Sequence, residues 1–312
     1  MNLTPHGVFM FTEGIPSTEL KANVQRIEKL GFSAIWFPEA IGREPFATAS
    51  FILSHTERLI AATGILNLYG RDAAVTAMGQ QTLTEQSNGR FLLGLGVSHT
   101  AFVESQGHTY GKPLSTMRNY LATLRQCHTG ISVTKNLALD GMAPQTVEKG
   151  SRGAIKTSLG EMPIVLAALG PKMNALAGDL AQGSHPYNTT PEHTRRCRKI
   201  LGPGPWLCPM QRVCLTTDAR RARVIGRRVL GLYLQLPNYR NMLLTCGFAE
   251  DDMENGGSDR LIDQLLGWGD EAQIRAHVQA HLDAGADHVC VQAVNLEDPA
   301  RPCFKALEVI AA

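Results

Sequence analysis

Arg58–His99 reads RLIAATGILNLYGRDAAVTAMGQQTLTEQSNGRFLLGLGVSH, and this stretch decides the fold. It holds an apolar run suited to a strand, a short polar break, a helix-patterned segment from about Asp72 to Asn88 closed by Gly89, and a second apolar run. Continuous apolar strands alternating with helices imply a parallel sheet covered on both faces. In such sheets ligands bind beyond the carboxyl ends of the strands. Both strands break into small or polar residues at that end, at Thr63-Gly64-Ile65-Leu66-Asn67 and at Val97-Ser98-His99.

The pattern repeats outward. His6–Thr12 predicts a first strand, and Ser17 an N-cap for a helix whose stripe is Leu20, Val24, Ile27 and Leu30, with Gly31 closing it. Ser33–Pro38 predicts a second strand, followed by Glu39 and a helix with Pro45 in its first turn. A helix is expected over Pro113–Cys127, a fifth strand over Pro163–Ala168 and a sixth around Ser184–Tyr187. A seventh is expected over Gln211–Thr216, then a long helix capped by Asp218 and ending by Pro237. An eighth strand spans Asp287–Val294, and a last helix Pro302–Ile310. Eight βα units predict one (β/α)8 barrel domain over residues 1–312. Two segments exceed it. Thr129–Met162, before the fifth strand, falls on the face opposite the expected site. Asn238–Gly257, after the seventh strand, is able to reach the mouth.

Composition narrows the function. The chain has 312 residues, 44% hydrophobic and 19% charged, with a formal net charge of +2, which gives ample core and no nucleic-acid signature. The basic residues Arg195, Arg196, Arg198, Lys199, Arg220, Arg221, Arg227 and Arg228 fall on predicted helices and read as solvated faces. Cys127, Cys197, Cys208, Cys214, Cys246, Cys290 and Cys303 show no metal spacing and read as reduced thiols in a cytoplasmic protein. No run suggests a membrane span or an export signal.

Leu169-Gly170-Pro171-Lys172-Met173 lies between a buried strand and a helix. It is either a phosphate site on free N–H groups or a plain turn. In Gly94-Leu95-Gly96-Val97-Ser98-His99, His99 stands where a dinucleotide fingerprint needs its last glycine, and Thr100 spoils a nucleophile elbow around Ser98. His99 is either a proton-transfer group or a structural histidine. Glu39 falls at the mouth and serves the site or pairs with Arg43. His277 and His281 read as exposed residues on an outer helix, since HVQAH lacks the glutamate of a zincin motif.

Taken in order, HGVFMFTE, LGFSAIWFPEA, GREPFATAS, ATGILNLYGRD, GRFLLGLGVSH, GHTYGKPLSTM, LAALGPKMNALA, LPNYRNMLLTCGF, GGSDRLIDQLLGWGD and HLDAGADHVCVQ resemble the luciferase-like monooxygenase superfamily. The closer likeness is to its branch of oxidoreductases that use the deazaflavin coenzyme F420. The resemblance implies a ring resting on a bulge at Thr63, Gly64, Ile65, Leu66 and Asn67, with a cis or bulged Gly64–Ile65 bond. Val97, Ser98 and His99 flank the ring and tail. The phosphate falls on Ala168, Leu169, Gly170, Pro171 and Lys172. His99 takes the place of a proton donor and Glu39 that of an acidic residue, while Ala40 replaces a histidine often found beside it. The implied activity is hydride transfer between F420 and a small organic substrate: a conjugated alkene, an imine or a carbonyl/alcohol pair. The alternatives are an FMN-dependent monooxygenase and a non-catalytic flavin-binding subunit. The expected assembly is a homodimer.

Overall fold

The computed structural model describes residues 1–128 and 162–312. Its strands are β1 (His6–Phe9), β2 (Ala34–Phe37), β3 (Ile60–Thr63), β4 (Leu66–Asn67), β5 (Phe91–Gly96), β6 (Ile164–Leu166), β7 (Gly183–Ser184), β8 (Trp206–Leu207), β9 (Met210–Leu215), β10 (Leu266–Gly269) and β11 (Val289–Ala293). All pair in parallel, in the order β10-β9-β11-β1-β2-β3-β5-β6-β7-β8, with β4 on β5. The chain runs from β8 to β9 through Cys208-Pro209, and this passage joins the two ends of the order. On one side Cys208 and Met210 donate N–H to Ser184 and Pro186; on the other, Asp287 and Cys290 donate to Leu207 and Pro209. The sheet is thus the wall of a (β/α)8 barrel.

The helices are α1 (Ser17–Lys29), α2 (Pro45–Ser54), α3 (Ala73–Gln86), α4 (Thr100–Ser105), α5 (Pro113–His128), α6 (Pro171–Leu180), α7 (Pro191–Leu201), α8 (Ala219–Leu230), α9 (Pro237–Thr245), α10 (Asp259–Leu265), α11 (Glu271–Asp283) and α12 (Phe304–Ala311). Leu20, Val24 and Ile27 of α1 are fully buried, as the stripe predicts. Outward-facing strand residues such as Val8, Ile35 and Leu93 join such helix residues in one core, while Phe9, Trp36, Leu92, Val165 and Met210 fill the lumen.

The structure corrects several expectations. Ser17 is the first helical residue, with Pro16 at the cap position and no side-chain cap bond. The seventh strand is two pieces, because Pro209 has no N–H to give the ladder. The helix capped by Asp218 ends at Leu230, not near Pro237, and a 3-10 turn at Tyr233–Gln235 follows. β10, not anticipated, adds to β9 along Arg212–Leu215. His281 is fully buried rather than exposed. Its ring bonds Gln211 Oε1 at 2.7 Å and Thr194 Oγ1 at 2.8 Å, and burial drives its pKa down to about 3. His277 is half-buried, and its pKa is also lowered by burial. The expected excursion at Thr129–Met162, Met162 apart, lies outside the described residues. Among the described residues no helix is long and apolar enough to cross a membrane, and no side-chain cluster suits a metal ion.

Candidate functional site

The third barrel strand is broken where the sequence reads Thr63-Gly64-Ile65. Ala62 faces Leu92 and Leu66 faces Leu95, so Thr63, Gly64 and Ile65 oppose only Leu93 and Gly94. One residue is extra, and the strand bulges. The Gly64–Ile65 peptide is cis. The glycines of β5 make room for this shape. A Cβ on Gly94 would lie 1.9 Å from the Thr63 carbonyl oxygen, and one on Gly96 would lie 2.5 Å from Ile65 Cδ1. GLG in this strand is therefore a seat for the bulge and not a nucleotide loop.

Glu39 secures the bulge from the side. Its backbone N–H donates to Ile65 O at 3.0 Å, and its carboxylate accepts the Asn67 N–H at 2.7 Å. The same carboxylate is gripped by both terminal nitrogens of Arg71, at 2.7 and 3.0 Å. Side-chain exposures of 12% for Arg71 and 19% for Glu39 make this a sheltered, bidentate pair, the strong kind. Arg43, the partner considered from sequence, instead donates to Ile15 O. Every Glu39 contact is to the bulge or to Arg71, so its geometry is that of a positioning residue. Arg71 was missed because 32 residues separate it from Glu39.

His99 follows β5 and opens α4, with no side-chain capping bond and no hydrogen-bond partner for its imidazole among the described residues. Ser98, at φ 55°, turns the chain before it, a left-handed conformation that only context sustains in a serine. The imidazole faces Tyr239 of α9 at 6.0 Å and Phe102 at 6.5 Å. The extension after the seventh strand therefore does reach the mouth. Burial lowers the His99 pKa, so the ring is neutral near pH 7.

The Ala168–Lys172 turn is shaped from behind. His193 Nε2 donates to Leu169 O at 2.8 Å, while Asn174 Nδ2 bonds Ala168 O at 3.4 Å and Gly170 O at 3.1 Å. A trans peptide points its N–H opposite its C=O, so the Leu169 and Gly170 N–H groups face away from His193 and Asn174. Those two, with the N–H groups of Lys172 and Met173 in the first turn of α6, have no partner among the described residues. A Cβ on Gly170 would meet nothing within 4 Å. Free N–H groups at a helix start, beside open space at the Gly170 Cβ position, have the geometry with which a helix N-terminus can accept an anion.

Partnerless polar atoms mark the rest of the site. Of the twelve buried side-chain atoms without a hydrogen bond among the described residues, eight belong to Thr12, Glu13, His185, Asn188, Thr189 and Arg212. His185, Asn188 and Thr189 follow β7 and Arg212 lies in β9, on adjoining strands of the barrel, while Thr12 and Glu13 follow β1, with β11 between β9 and β1. Such groups are costly unless a ligand or water completes them. His185 stacks on Trp36 at 4.5 Å, and its Nε2 would lie 3.0 Å from a Cβ on Gly64. Phe9 lies equally close, at 2.9 Å, so Gly64 is needed for backbone approach.

A sequence profile of the luciferase-like monooxygenase family matches residues 3–200. The chain belongs to this family. It is 31% identical over 182 residues, 56% of this chain and 53% of the relative, to 5,10-methylenetetrahydromethanopterin reductase of Methanolobus tindarius. It is 31% identical over 230 residues, 68% and 66% of the two chains, to the Mycobacterium tuberculosis protein named "Putative coenzyme F420-dependent oxidoreductase Rv3520c". These matches span about half to two thirds of the relatives' length. In fold it is similar to the coenzyme F420 dependent tetrahydromethanopterin reductase of Methanopyrus kandleri, with a TM-score of 0.70 at 16% identity over 99% of this chain and 98% of that one.

Proposed function

We propose that this luciferase-like family member is an oxidoreductase passing a hydride between deazaflavin coenzyme F420 and a small organic substrate, a conjugated alkene, an imine or a carbonyl/alcohol pair. The observation that carries the reading is the convergence of a bulged strand 3, an open N–H cradle at Gly170 and orphaned polar atoms on strands 1, 6 and 7. A flat ring and an anionic tail suit the first two, and the orphaned atoms leave polar positions for a substrate beside the cofactor. The relatives' names support the deazaflavin; FMN is the alternative cofactor, and it would make the chain a monooxygenase.

When bound, the deazaflavin supplies a carbon that gives or accepts hydride. Thr63, Gly64, Ile65, Leu66 and Asn67 would hold its ring, with Val97 and Ser98 beside it, and Ala168 to Lys172 its phosphate. Glu39 and Arg71 fix the bulge, so the ring's seat does not depend on a mobile loop. His99 moves the proton. Its lowered pKa keeps Nδ1 or Nε2 free to take a proton from a substrate hydroxyl in oxidation, and leaves one N–H to bond a developing oxyanion in reduction. A half-buried histidine at the mouth whose ring has no hydrogen bond among the described residues supports an enzyme over a non-catalytic flavin-binding subunit. We place the protein in the cytoplasm as a homodimer.

His99→Ala tests the assignment. Parent and variant loaded with F420 are screened against secondary alcohols, ketones, imines and enones by stopped-flow absorbance of the cofactor. The variant is expected to keep its cofactor affinity and lose about 100- to 10,000-fold in rate. Unchanged rates with intact affinity would leave His99 a structural residue.

A further inference from the structure

Arg212 stands third in β9, between Gln211, which reaches out to His281, and Val213 of the outer core. Strand alternation therefore sends its side chain into the lumen, where the residue is 2% exposed. A guanidinium is charged at any working pH, and burying one without a counter-charge is strongly unfavourable. Among the described residues no carboxylate pairs with it. Nη2 donates to the Tyr187 hydroxyl at 2.8 Å, and the rings of Tyr187 and Tyr233 lie 5.1 and 5.5 Å from the guanidinium carbon. Nε and Nη1 have no partner among the described residues.

Tyr187 and Tyr239 do not supply the missing charge. Burial holds the Tyr187 pKa well above its ordinary value, and that of Tyr239 is raised as well. Both stay protonated. Tyr187 turns its own proton toward Gln292 Oε1 at 3.5 Å. Asn188 and Thr189, the next residues, are buried and add three more partnerless atoms. The surroundings are thus a built receptor: one buried cation, neutral polar groups and aromatic walls.

Its place in the barrel ties it to the candidate site. Tyr187 touches Phe9 at 5.1 Å, and Phe9 lies against Gly64 of the bulge. Tyr233 packs on Tyr239 at 5.2 Å, and Tyr239 faces His99 at 6.0 Å. By strand order the seventh strand stands across the barrel from the third. Either guanidinium edge, Nε–Nη2 or Nη1–Nη2, matches the two oxygens of a carboxylate.

We propose that Arg212 anchors the substrate, and that the substrate is a small carboxylate whose reacting carbon is held between the bulge and His99. This rests on the oxidoreductase reading for the reacting end, while the anchor itself rests on the unpaired guanidinium. Neutral analogues are rejected, because they leave the buried charge uncompensated.

The probes are benzoate and butyrate against their neutral amides, benzamide and butyramide, titrated by calorimetry into the full chain with and without F420. The parent is expected to prefer at least one carboxylate over its amide by about 10-fold or more. Arg212→Gln is expected to abolish that preference while binding F420 within a few-fold of the parent, and Arg212→Lys to keep part of it. Arg212→Met, which removes an uncompensated charge, is expected to melt at or above the parent temperature without ligand. Equal binding of acids and amides by the parent overturns the proposal, as does a preference that survives in Arg212→Gln. A large loss of F420 affinity in Arg212→Gln overturns it too, by giving the guanidinium to the cofactor. A parent that fails to bind F420 yet loses its carboxylate preference in Arg212→Gln sinks the oxidoreductase reading and leaves the anchor standing.

Discussion

Thr63 and Gly94 hold each other across the gap that the bulge opens in the barrel wall. The Thr63 hydroxyl donates to Gly94 O at 2.9 Å and accepts the Gly94 N–H at 2.8 Å. A side chain here does the work of the missing strand-to-strand bonds. Both backbone groups are buried, so neither has water to fall back on. Thr63→Val is expected to destabilise the fold by about 1–3 kcal/mol by stranding them. Gly94→Ala should cost as much or more, since its methyl meets backbone that has no rotamer to change. Urea midpoints of the two variants check this, and parent-like midpoints would mean that the bulge is held elsewhere.

The Gly170 turn separates binding from stability. Gly170 has φ −81° and open space around its Cβ position, so Gly170→Phe should fold like the parent, within about 0.5 kcal/mol. It should nonetheless block an anion from the free N–H groups, weakening cofactor binding by about 10-fold or more. Lys172→Ala should weaken it only modestly, by about 1 kcal/mol, because exposed charges are screened. Isothermal titration of both variants distinguishes these effects. Parent-like affinity in Gly170→Phe would move the phosphate off this turn.

Acid should unfold the protein early. Burial lowers the pKa values of His185 and His288 to about 4 and of His281 to about 3. All three are locked as neutral rings by two-sided contacts or stacking: His288 accepts from Trp36 Nε1 at 2.9 Å and donates to Thr4 O, and His185 donates to Cys208 O at 2.7 Å. Unfolded, each takes a proton near its ordinary value of 6.5. Below that value the unfolded chain binds more protons than the native one, so stability falls with pH from about 6.5 toward 4. Each histidine contributes up to about 1.4 kcal/mol per pH unit in this window. Urea midpoints at pH 7, 6 and 5 measure the slope. A flat profile from pH 7 to 5 would show that these rings are not excluded from protonation.

The barrel was legible because apolar strands and amphipathic helices alternate at their own periods, and the strand ends near Gly64, His99 and Gly170 stand out as small or polar breaks. β10 was not legible, because LGWG places two glycines in four residues and reads as a turn. Nor was the Glu39–Arg71 grip, which only the tertiary fold assembles. Two misses had a readable signal. Ile274, Val278 and His281 are spaced as one buried helical face, which already argued against an exposed His281. Met210, Arg212 and Cys214 share one strand face, so a charge there was aimed at the lumen.

The most direct test of the account is a cofactor titration of the purified parent protein, F420 against FMN, read by fluorescence quenching. Saturable binding of F420, with FMN bound far more weakly and F420 binding weakened in Gly170→Phe, is the predicted result. Preference for FMN, or no saturable binding of F420, would contradict it.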